Sequence, residues 1–124
     1  MAAEEEPVVA TCHCGQVEIV LAKTPDVVVE CNCSLCTKYG VLWTYYEASD
    51  ILGMPEGSIT DSYAWNGENV DFHRCSNCGC ITHWMPRSAS RSRRGINARL
   101  LPKTLLASAR LRHRDGAETG KYLD

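Results

Sequence analysis

Apolar and polar positions alternate through much of this chain, and helical periodicity is scarce. In "VVATCHCGQVEIVLA" (residues 8–22), Val17, Ile19 and Leu21 recur at every second position, which predicts two strands around a turn at the cysteines. "DVVVECNC" (26–33) is a second β-rich run and leads straight into a cysteine cluster, and "GVLWTYYEA" (40–48) is dense in β-branched and aromatic residues, as a buried strand is. "SDILGMPEGS" carries turn and breaker chemistry in Gly53, Pro55 and Gly57. "SYAWNGENVDFHRC" predicts a hairpin turning at Asn66–Gly67, followed by short strands at "ITHW" and "GINARLL", the latter stopped by Pro102. The polar end, "LRHRDGAETGKYLD", predicts no more than a final short strand or turn. No heptad, internal repeat or long amphipathic helix interrupts this pattern. The expected fold is mostly β: one small domain of short antiparallel strands over residues 1–124, with its core at about 8–112 and flexible termini.

Length and charge narrow the function classes. A chain of 124 residues suits one domain with a modest core. A formal net charge of −2 gives no electrostatic reason to expect a nucleic-acid partner. No apolar run has the length of a membrane span, and the acidic start "MAAEEEPVVA" lacks the basic and apolar regions of a secretory signal. The expected compartment is therefore the cytoplasm, where disulfides seldom persist.

Eight cysteines are many for that compartment, and they are clustered: Cys12/Cys14, Cys31/Cys33/Cys36 and Cys75/Cys78/Cys80. Disulfide frameworks mostly join distant cysteines, whereas tight clusters suit a small ion, so these read as metal ligands. Cys75-Ser-Asn-Cys78-Gly79 is a knuckle whose turn aims backbone N–H groups at sulfur, and Cys12/Cys14, with Gly15 at the turn, is the other two-thiolate half-site. Joined, they make a closed structural zinc site and clip a loop of about sixty residues, worth several kcal/mol in chain-entropy terms.

Cys31, Cys33 and Cys36 cover three corners of a tetrahedron. Cys80 is the candidate fourth ligand; on spacing alone the second site is either closed by Cys80 or open, and an open corner marks a catalytic site.

The order CHCG, CNCSLCxKxG, RCxxCGC resembles the glutathione-dependent formaldehyde-activating enzyme family, which includes the centromere protein V group, over about residues 10–101. The resemblance implies a zinc β-tent with two zinc ions. It places the structural ion on Cys12, Cys14, Cys75 and Cys78, and a catalytic ion on Cys31, Cys33 and Cys36 with room for a substrate sulfur. It further implies a carbon–sulfur lyase or synthase acting on a small thiol such as glutathione and an aldehyde such as formaldehyde, or on their adduct. The alternative function is a non-catalytic zinc module that binds a protein or chromatin partner. The Arg/Ser-rich stretch 87–94 reads as a solvated loop, with an anion-binding loop as its alternative.

Thiol addition to an aldehyde leaves an alkoxide that needs a proton, and His83 in "CITHW" is the first candidate acid. His73 and His13 read as surface residues and His113 has no assigned role. Trp43, Tyr45, Trp65 and Trp84 are candidate pocket walls, although aromatics at strand spacing are more often core; Asn97 with Arg99 is a candidate carboxylate grip, with an exposed strand position as the alternative for Arg99.

Overall fold

The computed structural model describes residues 6–65, 67 and 69–124. Among the described residues, ten strands form two sheets. β1 (Val8–Thr11), β2 (Glu18–Leu21) and β5 (Ile51–Gly53) make a three-stranded antiparallel sheet in the order β1-β2-β5. β3 (Val27–Cys31), β4 (Trp43–Glu47), β6 (Thr60–Trp65), β7 (Val70–Cys75), β8 (Ile81–Pro86), β9 (Arg93–Asn97) and β10 (Arg110–Arg114) make a seven-stranded sheet. Its order is β10-β3-β4-β9-β8-β7-β6. The mostly β architecture read from the alternation is the one observed.

One strand departs from the all-antiparallel expectation. β10, drawn from the polar tail, pairs with β3 in parallel, Arg110 opposite Val27 through Arg114 opposite Cys31. A short helix, α2 (Lys103–Ser108), turns the chain back after β9 so that the tail meets the free edge of β3 in the same direction. The parallel pair thus joins segments distant in sequence, which local patterning does not reveal.

Strand alternation gives the large sheet two faces. On one, Val28, Tyr46 and Ile96 pack with Ala10, Ile19 and Leu21 of the small sheet as the main core. On the other, Trp43, Val70 and Phe72 gather around Cys31 and Cys36. Neighbours on one strand therefore serve different purposes: Thr44 and Tyr46 look into the core, whereas Trp43 and Tyr45 look into a cavity.

Local chemistry explains the remaining departures. The "CNCSLCTKYG" turn continues into α1 (Ser34–Tyr39), because the Cys33 thiol caps it by accepting from the Cys36 N–H and Gly40 closes it in the left-handed conformation. Ile51–Gly53, inside the expected breaker segment, is long enough to pair with β2. "GINARLL" stops being a strand at Asn97, whose side-chain oxygen accepts the Arg99 N–H at 3.1 Å and starts a 3₁₀ turn. The β6–β7 hairpin is present, with Trp65 opposite Val70. Its connection spans 66–69, and the Asn66 half of the expected two-residue turn lies outside the described residues. Among the described residues no helix is long and apolar enough to cross a membrane.

Candidate metal centres and the cavity beside them

The first centre joins two turns far apart in sequence. Residues 12–15 turn, with the Gly15 N–H reaching the Cys12 carbonyl at 3.1 Å. The turn aims the Cys12 and Cys14 sulfurs at Cys75, which ends β7, and at Cys78 just beyond it. All four Sγ atoms lie within 4.8 Å of one another, with Cys12–Cys14 and Cys14–Cys75 both at 3.7 Å. Backbone N–H groups donate to sulfur from Val17 to Cys12 (3.2 Å) and from Cys78 to Cys75 (3.5 Å). Gly15 and Gly79, each directly after the second thiol of its pair, adopt φ of +82° and +80°, which any other L-residue resists. Burial pushes the Cys12 thiol up to about 11, while backbone N–H groups of Cys80 and Cys14 draw Cys78 down to about 5. Such a crowd of thiols, some prone to ionise and others held protonated, is the donor set that a thiophilic dication satisfies by displacing the protons.

The second centre is local. Cys31 ends β3, Cys33 caps α1 and Cys36 lies in its first turn, with their three sulfurs within 4.8 Å of one another. The Cys36 N–H donates to Cys33 Sγ at 3.3 Å, and the indole N–H of Trp43 donates to Cys36 Sγ at 3.3 Å. A hydrogen bond from the Cys36 thiol draws Cys31 down to about 5, and the same bond, reinforced by burial, pushes Cys36 up. All eight cysteines are free thiols. Cys80 belongs to neither set of sulfurs. It packs beside the cluster that contains Cys12, Cys75 and Cys78, so the structure brings it to the first centre and not to the triad.

The two centres differ in access. All three triad cysteines line a cavity of about 560 Å³, and none of the other four does. Trp43, Tyr45, Trp65 and Trp84 all border this cavity. Phe72 completes the aromatic wall, its ring centroid 5.9 Å from that of Trp43, while Tyr45 and Trp84 lie 6.0 Å apart. Burial raises the Tyr45 hydroxyl to about 12, so it stays a proton donor at neutral pH.

The expected polar residues fall elsewhere. His83 stands opposite His73 on paired strands and stacks on it with centroids 4.4 Å apart, while their neighbours Trp84 and Phe72 face the cavity. Alternation turns His83 away from the triad; its Nδ1 lies 2.8 Å from Thr82 Oγ1, and burial draws it down to about 3. His73 is held by Thr60 Oγ1 at 3.0 Å, His13 is exposed, and His113 pairs with Asp124 at 2.8 Å. The Asn97 amide donates to the Ile81 carbonyl (2.7 Å) and Arg99 Nε to the Gly40 carbonyl (2.9 Å), so both are spent on the backbone and neither lines the cavity.

Its cations are instead Arg91, Arg93 and Arg114. The first two come from the stretch read as a solvated loop, and only its anion-binding alternative pointed to them. Arg114 comes from the tail, where nothing local marks it.

Fold and donor sets together define a class: a small, mostly β domain with one cluster of four cysteines and one of three that borders a cavity, both of a composition that suits zinc. The chain belongs to the glutathione-dependent formaldehyde-activating enzyme family, whose family model matches residues 7–106. Among solved structures it is similar to a crystal structure of a Rhodobacter sphaeroides protein, with 24% identity over 83% of this chain and 98% of that chain and a TM-score of 0.63. At that identity the likeness is one of fold.

Proposed function

We propose that the protein forms or cleaves a carbon–sulfur bond between a small thiol and an aldehyde, in the manner of an S-hydroxymethylglutathione synthase, with the Cys31/Cys33/Cys36 centre as its reactive site. The single observation that carries this reading is that the three-sulfur cluster opens into the aromatic cavity while the four-sulfur cluster does not. Four thiolates leave a metal no vacancy and suit a structural role; three leave one. Family membership supports the choice of thiol and aldehyde.

Zinc at the triad would supply a place where a thiol is held as its thiolate at neutral pH. Everything else falls to the chain. Trp43, Phe72 and Trp84 wall the site and limit the water around the reacting pair. In synthesis the sulfur–carbon bond forms, the carbonyl π pair moves to oxygen, and that oxygen takes a proton, while the thiol's own proton passes to solvent. Tyr45, a phenol kept protonated by burial and bordering the cavity, is the donor in this scheme and regains its proton from solvent, taking the place expected for His83. The reverse reaction returns the proton to Tyr45 and releases aldehyde.

Exchange NMR of formaldehyde with glutathione tests this. The zinc-loaded protein should accelerate exchange between free aldehyde and the S-hydroxymethyl adduct. Cys33→Ala should abolish the acceleration while retaining one metal per chain. If the wild-type protein with two metals leaves exchange at the uncatalysed rate across small thiols, the site is not an enzyme of this kind, and the binding-module reading takes its place.

A further inference from the structure

The family match ends at residue 106, yet one wall of the cavity comes from beyond it. After β10 the chain crosses directly over the triad. A Cβ placed on Gly116 would lie 2.5 Å from Cys31 Sγ and 3.4 Å from the Cys33 Cβ, so only glycine lets the tail pass this close. Asn32, between two of the triad cysteines, holds the tail in place. Its backbone N–H donates to the Arg114 carbonyl (3.1 Å), its side-chain amide donates to Asp115 (3.0 Å), and its side-chain oxygen accepts from the Ala117 N–H (2.9 Å). Further along, Arg112 Nη2 donates to the Asp124 carbonyl at 2.8 Å, and its guanidinium lies 3.9 Å above the Tyr122 ring.

This arrangement brings Arg114, whose Nε donates to the Gly120 carbonyl at 3.2 Å, to the lining of the cavity together with Arg91 and with Arg93, whose guanidinium lies 4.2 Å above the Tyr45 ring. No aspartate or glutamate lines the cavity, and among the described residues no carboxylate forms an ion pair with any of these three arginines. Three cations around one cavity that holds no carboxylate, with only the triad sulfurs to offset them, are the complement of an anion.

We propose that the C-terminal segment 110–124 is the substrate-selecting wall of the triad site, and that Arg114, with Arg93 on the same cavity, selects thiols that carry a carboxylate. The assignment rests on the triad being the thiol site, as proposed above, and adds the ligand's charge and the residues that read it. Arg114 stands just before the segment packed on Cys31, so it grips a group attached to the thiol a few bonds from sulfur.

The experiment compares two nearly isosteric thiols, 3-mercaptopropionate and 3-mercaptopropionamide. Each is titrated into the full-length protein loaded with cobalt(II), and the thiolate-to-metal absorption band is followed. Wild type should bind the carboxylate about tenfold more tightly than the amide, and that ratio should fall severalfold in Arg114→Gln and in Arg93→Gln. It should also fall with added salt. A wild-type ratio near one, or a ratio that both variants leave intact, overturns the proposal while leaving a thiol-binding triad in place. If neither thiol perturbs the spectrum of the wild-type protein, the thiol-site reading itself has failed, and the selection falls with it.

Discussion

The indole N–H of Trp43 donates to Cys36 Sγ across 3.3 Å in a buried setting, so the residue that walls the cavity also tunes one of the triad sulfurs. A donor aimed at sulfur favours the thiolate and withdraws electron density from it. Trp43→Phe removes that N–H and leaves a small void beside Phe72. The expected outcome is a folded protein about 2 kcal/mol less stable, whose cobalt-loaded form absorbs at longer wavelength because the sulfur is more electron-rich. Denaturant titration and the charge-transfer band test the two halves separately.

Cys75→Ala should remove far more. Cys75 is buried at the end of β7 and its cluster ties that strand to the β1–β2 turn, 61 residues away at Cys14. Metal at such a site is folding free energy, and its loss is comparable with the whole stability of a small domain, about 5–15 kcal/mol. Thermal melts followed by circular dichroism should show no cooperative transition. Cys33→Ala, at the accessible centre, should keep one.

Gly116→Ala probes the packing of the tail on the triad. The new methyl group meets a sulfur and the Cys33 side chain, so either the tail lifts or Cys31 shifts. Metal affinity at the triad should fall about tenfold or more, as for other changes that displace a ligand's support, with the four-cysteine centre unaffected. Competition with a chromophoric chelator resolves the two sites. Hydrogen exchange should show faster labelling confined to 110–124.

His83 predicts a pH dependence of stability and not of catalysis. Its folded value is drawn down to about 3 by burial, with the neighbouring His73 opposing the charge further. An unfolded histidine titrates near 6.5, so below that pH the unfolded chain binds a proton the folded chain refuses. Stability is therefore full above about pH 6.5. It declines as pH falls toward 3, by up to about 1.4 kcal/mol per pH unit from this group. Urea midpoints of wild type and His83→Gln, taken from pH 8 to 5 with zinc content monitored, should show a flatter profile for the variant. Its turnover, measured at pH 8, should stay close to that of wild type, because the side chain faces away from the triad.

The parts of the site that sequence made legible are those set by neighbours along the chain. Spacings of two and three place sulfurs within one bite whatever surrounds them, so Cys12/Cys14, Cys31/Cys33/Cys36 and Cys75/Cys78 could be grouped before any strand was paired. The apolar alternation of Val17, Ile19 and Leu21 likewise predicted β2 with its buried face. Trp43, Tyr45, Trp65 and Trp84 could be named as candidate wall residues, but aromatics at strand spacing read more readily as core, and only the structure places them on the cavity. The short helix α1 was missed, since a thiol serving as the cap looks in sequence like a ligand and nothing more.

Everything that depends on which face a strand shows was beyond the sequence. His83 and Trp84 are adjacent, and one must face the cavity if the other faces the core; the register with β7 and β9 decided for Trp84. Asn97 and Arg99 offered polar groups, but the end of β9 consumed them in hydrogen bonds to Ile81 and Gly40. Arg114 gained its place only because β10 pairs in parallel with β3, a contact between residues more than eighty positions apart. The chain by itself determined which atoms are available to hold a metal, because that chemistry is local. Tertiary structure alone decided which cluster borders the cavity and which cations line it, because exposure and direction arise when distant strands choose their partners.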